Sequence, residues 1–158
     1  QFSLAYSTPG DEGSTDPGRA TAAADRLRDL VPGAGHLVHM PAHIYIRTGR
    51  WADAAAANER AIVADTAFRA TAPNPGFYHI YMAHNRHFLA FGSMMEGRSA
   101  VALQAAREMV AGVPPDFLRE AALFADGLMP IPIEVLMRSA RISSQRPKRI
   151  MVSSGVAK

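Results

Sequence analysis

The chain has no cysteine. That single absence removes disulfides, thiolate metal ligands and cysteine nucleophiles, and it leaves nitrogen and oxygen as the donors for any bound ion. Long apolar runs are missing too. The longest, such as Ala20–Ala24 and Ala54–Ala57, are short and alanine-rich, far from the ~20 residues that span a bilayer, so no membrane association is expected. Nor is there a surplus of one charge: 17 basic against 14 acidic side chains give a net charge of +3 and no broad cationic face. The small excess gathers in Arg138, Arg141, Arg146, Lys148, Arg149 and Lys158, where no aromatic platform interleaves with it; it reads as a solvated tail, and nucleic acid is discounted as a partner. No basic-then-apolar leader precedes the domain. The default expectation is therefore cytoplasmic, with secretion left open by a processed or truncated start.

Several catalytic signatures are also lacking. There is no phosphate loop, no Gly-x-Ser-x-Gly elbow and no Rossmann fingerprint. The string His39-Met40-Pro41-Ala42-His43 keeps the spacing of a zinc-protease helix but has no glutamate between its histidines.

What is present is helical patterning broken by Gly/Pro punctuation, with no period-2 strand run, so the fold class is all-α. At 158 residues the chain has the length of one domain. Residues 1–15, rich in Gly, Ser, Thr and Pro, read as irregular, 16–142 as the helical domain and 143–158 as a basic, flexible tail. Asp16-Pro17 opens a helix that stops at Pro32-Gly33. Further helices are predicted near 35–48, 51–65, 78–94, 98–112, 115–126 and 130–142.

The feature that stands out is the placing of histidine. All six lie within residues 36–87, and five fall into two groups at helical spacing: His36, His39 and His43, then His84 and His87. At about 100° per residue each group spans an arc of roughly 60° on one helix face. A stripe of imidazoles is a candidate metal or proton-handling surface. His79 falls at a different angle. Tyr78, Tyr81, Trp51, Met94 and Met95 read chiefly as inter-helix packing, and Arg86 beside the second stripe is a candidate for holding an anion.

Comparing helical pairs exposes an internal repeat. In Tyr45-Ile46-Arg47-Thr48-Gly49-Arg50-Trp51-Ala52-Asp53-Ala54, with Ala61 seven residues later, a small residue marks the inter-helix turn and alanines stand where the second helix must approach closely. Together with His36-Leu37-Val38-His39-Met40-Pro41-Ala42-His43-Ile44-Tyr45, this resembles the tetratricopeptide repeat, in a histidine-containing bacterial variety. Ala42, Tyr45, Ala54 and Ala61 fall on that family's small and aromatic positions, and Ala20 and Pro32 on those of a preceding second helix. A later copy turns at Gly97-Arg98, with Leu89, Ala90 and Ala102 in place. A weaker one runs Pro132-Ile133-Glu134-Val135-Leu136-Met137-Arg138-Ser139-Ala140-Arg141. The turns at Gly49, Gly97 and Ala140 are spaced by 48 and 43 residues rather than the family's ~34, which places insertions near Thr66–Phe77 and Val113–Met129.

The resemblance implies a superhelix of about six or seven antiparallel helices whose first helices line a concave groove. The second, fifth and ninth repeat positions face that groove: His36, His39 and His43 in one copy, His84, His87 and Phe91 in the next, and Glu134 at the ninth position of the weak copy. Histidines on neighbouring helices can then share one ion. The expected ligands are His36, His39, His43, His84 and His87, with a divalent cation, zinc by default. The expected chemistry is metal-assisted hydrolysis of a small ester, amide or glycoside-like substrate, with Glu134 or His43 as ligand or general base and Tyr81 or Arg86 stabilising negative charge. The alternatives are a non-catalytic scaffold binding a peptide in the same groove, and a pH-sensitive histidine surface. Exposed repeat ends are expected to favour self-association.

Overall fold

The computed structural model describes residues 15–112. Among them the secondary structure is helical throughout, with no strand. A 3-10 turn (Pro17–Ala20) leads into α1 (Thr21–Leu27); α2 (Gly35–His39) and α3 (Pro41–Arg47) follow almost without interruption; α4 covers Trp51–Thr71. A second 3-10 turn (Gly76–Tyr78) opens α5 (His79–Met95), and α6 is Ser99–Gly112.

Two turns of the same construction set the path. Gly49 and Gly97 have φ of 74° and 75°, a left-handed conformation that costs glycine nothing and a side-chain-bearing residue a good deal. At each, the glycine N–H bonds back three residues, Gly49 to Ile46 and Gly97 to Met94, and the following arginine N–H bonds back five, Arg50 to Tyr45 and Arg98 to Ser93, both at 2.8 Å. This double closure satisfies the last carbonyls of α3 and α5 and folds the next helix back against them. The arginine carbonyls then accept the first bonds of α4 and α6, from Ala54 and Ala102. The residues of these two turns, 48 apart in the sequence, are thus structurally equivalent.

Alanine decides how closely the layers approach. Ala54, Ala55, Ala57 and Ala61 of α4 are fully buried, and α4 packs against α2, α3 and α5 while α5 packs against α6. Small side chains on the shared faces bring neighbouring axes near, and the larger groups Tyr45 and Phe88 fill what remains of the first core cluster, with Ala24, Ala42 and Ile44. Asp25 ties α1 to this unit: Tyr45 donates its phenolic proton to it over 2.8 Å and the Arg50 guanidinium lies 2.9 Å away.

The helices differ from expectation mainly at their ends. The first starts as a 3-10 turn around Gly18 and closes at Leu27, short of the expected Leu30, because the chain must turn before Pro32. The fourth runs to Thr71 rather than stopping near 65. Half of the insertion expected at Thr66–Phe77 is thus extra helix, ended by the Pro73 and Pro75 connection. Met94 and Met95, expected in packing, are instead exposed at the end of α5. The helices expected at 115–126 and 130–142 lie outside the described residues, as does the tail.

Candidate metal centre

The first histidine stripe crosses a helix boundary and survives it. Met40 ends α2 with φ −49° and ψ −38°, so the backbone stays helical into Pro41, which occupies the first position of α3, where a missing N–H is tolerated. The helix is divided at Pro41, yet His39 and His43 remain one above the other. Their Nε2 atoms lie 2.9 Å apart.

From α5, His84 completes the group: its Nε2 is 3.4 Å from that of His43. One nitrogen from each of His39, His43 and His84 lies within 4.8 Å of the others, and the three could hold a metal ion. A tetrahedral ion with nitrogen ligands at about 2.0–2.1 Å would place those nitrogens about 3.3 Å apart. The spacings on either side of His43 bracket that value.

His39 is oriented from behind. The Asn58 side chain, fully buried on α4, donates through Nδ2 to the Ala54 carbonyl over 2.8 Å, which turns its Oδ1 toward His39 Nδ1, also at 2.8 Å. An amide oxygen only accepts, so His39 carries its proton on Nδ1 and presents a bare lone pair at Nε2. A hydrogen-bonded outer partner of this kind is what fixes the tautomer of metal-binding histidines.

Burial keeps the whole group uncharged. Desolvation is the first cause at every ring: it holds His39 well below the ordinary histidine range, brings His43 to about 4 and His84 to about 3, and lowers His36 and His87, the latter to about 4. Repulsion between neighbouring imidazoles adds to it at His39, His43 and His84. At neutral pH no proton competes for the lone pairs.

Phe88 forms an apolar floor. Its ring centroid is 4.7 Å from that of His39, 4.6 Å from His43 and 4.6 Å from His84. Beside this floor, His36 stacks on His39 at 5.6 Å and meets the Tyr81 ring at 4.2 Å. Of the five expected ligands, then, the structure brings three to a common point and sets two outside it. His36 flanks the group, and His87 lies one turn further along α5, 6.4 Å from His84 ring to ring. His87 is the repeat equivalent of His39, but Ala106 stands where Asn58 would be and Phe91 where His43 would be, and neither ring nitrogen of this buried histidine has a hydrogen-bond partner among the described residues.

Arg86 is held elsewhere: its guanidinium donates to the Met82 carbonyl and faces Glu108 of α6 at 3.7 Å, away from the three nitrogens. Tyr81 stays at the rim, partly exposed, against His36. Glu134 lies outside the described residues.

A second polar network, not anticipated from the sequence, docks the ligand helices. Asp65 of α4 is buried and accepts from Tyr78 Oη at 3.1 Å and Asn85 Nδ2 at 2.8 Å, while Tyr78 Oη accepts in turn from the His36 backbone N–H at 3.2 Å. Burial raises the Asp65 pKa, and the two side-chain hydrogen bonds pull it back. Gly35 makes room for the carboxylate, since any Cβ there would collide with it. The signal that would have found Asn58 and Asp65 is their position: both are polar residues on the alanine face of α4, in register with Ala54, Ala57, Ala61 and Ala64.

In comparisons with known proteins, the chain matches no family model, no curated protein and no solved structure.

Proposed function

We propose that this domain is a tetratricopeptide-type repeat that binds one divalent metal ion on its concave face through His39, His43 and His84. The observation that carries the proposal is the meeting of three Nε2 atoms drawn from two successive repeat units, with His39 pre-set to the ligating tautomer by Asn58. Three neutral imidazoles leave a coordination position for a water or a substrate, the pattern of a catalytic rather than a closed structural site. An ion held there would supply a Lewis acid and bring the pKa of bound water toward about 7. Hydrolysis of a small substrate is the activity this chemistry suits best. His43, as a ligand, is then unavailable as a base.

The peptide-scaffold reading suits this face less well. A peptide groove needs side chains that can meet an incoming chain, and here His39 and His87 are enclosed, at 0% and 2% exposure. The test is metal loading of the purified chain at neutral pH, followed by thermal unfolding with and without a chelator. A site filled at 100 times its dissociation constant stabilises by about 2.7 kcal/mol, so removing the ion is expected to lower the melting temperature by several degrees. An unchanged melting temperature with no stoichiometric ion would reject the proposal.

A further inference from the structure

The electrostatic balance of the three-histidine group says something about what its fourth position accepts, provided the metal reading above holds. All three ligands are neutral, and among the described residues no carboxylate belongs to the group. The one buried carboxylate among the described residues, Asp65, already has an oxygen engaged by Tyr78 and the other by Asn85. Nothing among the described residues therefore offsets the charge of a dication on these nitrogens, which is floored by the Phe88 ring and flanked by the His36 ring stacked on His39. Uncompensated charge in such surroundings is costly, and the cost falls when the remaining ligand is an anion.

His36 supplies the second half of the argument. Its ring stacks on His39 with an interplanar angle of 22°, and its helix is anchored through the bond from its backbone N–H to Tyr78. Its Nδ1 is nevertheless buried with no hydrogen-bond partner among the described residues. An imidazole nitrogen without a protein partner, on a ring stacked against a ligand, is a donor available beside the group.

We infer that the open position takes a small carboxylate, held by the ion and by a hydrogen bond from His36. The substrate class that follows is a small molecule bearing a carboxylate, or a hydrolytic product of that kind.

The experiment is a visible-absorption titration of the cobalt(II)-loaded protein at pH 7.5 and fixed ionic strength, with acetate and with its neutral counterpart acetamide. Acetate is expected to change the cobalt bands along a saturable curve and acetamide to leave them unchanged. His36→Ala is expected to keep cobalt but weaken acetate about ten-fold, the loss of one hydrogen bond to a charged group, and His36→Asn, whose amide can reach the same region, to recover part of it. Cobalt bound with identical responses to acetate and acetamide, or with acetate affinity untouched in His36→Ala, overturns this inference and leaves the metal site standing. Failure to bind cobalt at all overturns the metal reading and the inference with it.

Discussion

His39 donates its Nδ1 proton to Asn58 Oδ1 across 2.8 Å, and Asn58 is locked in that orientation by its own bond to Ala54. The pair fixes which nitrogen of a fully buried histidine is bare. Asn58→Leu is expected to weaken zinc affinity 10- to 100-fold, the usual consequence of removing an outer-shell partner, whereas Asn58→Asp, which still accepts from Nδ1 but turns its other oxygen on the Ala54 carbonyl, is expected to keep more of the affinity than Asn58→Leu at a cost in stability. Competition against a chromophoric chelator measures both; equal affinity in Asn58→Leu and the native chain would show that the tautomer is set by something else.

Asp65 holds α2 to α5 through Tyr78 and Asn85. Asp65→Ala strips the buried Asn85 and the half-buried Tyr78 of their acceptor at once and is expected to cost about 2–4 kcal/mol in urea unfolding. Gly35→Ala should be destabilising by a different route, because its methyl group collides with the same carboxylate. In the double variant the contact with the carboxylate is gone while that with the Ala61 carbonyl, 2.9 Å from the added methyl, persists, so the double variant is expected to lose less than the sum of the two single losses yet more than Asp65→Ala alone.

The buried imidazoles make the metal-free protein acid-sensitive. His43 and His87 titrate at about 4 and His84 at about 3 when folded, against an ordinary value of 6.5. The unfolded chain therefore binds protons that the folded chain refuses, and stability is full above pH 6.5 and falls as the pH drops toward 4. Urea unfolding of chelator-treated protein is expected to show a loss on the order of 2 kcal/mol or more between pH 7.5 and pH 5. A stability that is flat or rises over that interval would mean the histidines are solvated.

Much of this could be read in the sequence because it is locally encoded. The glycines at 49 and 97 punctuate helices whose apolar periodicity is clear, and the 48-residue offset between them places His36 and His84 at equivalent positions. Which histidines meet is a different matter. It depends on how α5 slides along α2 and α3, and that is set by alanine packing and by the Asp65 network, neither of which has a sequence period of its own. Hence His84 reaches His43 while its companion His87 lies beyond the group. Arg86 faces α6 for a related reason: the side of α5 it occupies is the side that α6 covers, where Glu108 attracts it.

Metal analysis of three proteins loaded with zinc and desalted at neutral pH tests the central claim most directly: the native chain, His84→Ala and His87→Ala. The stripe equivalence in the sequence treats the two histidines alike, while the geometry separates them. One ion per chain in the native protein and in His87→Ala, with its loss from His84→Ala, is the expected result. No ion in the native chain, or equal loss in both variants, would contradict a site built on His39, His43 and His84.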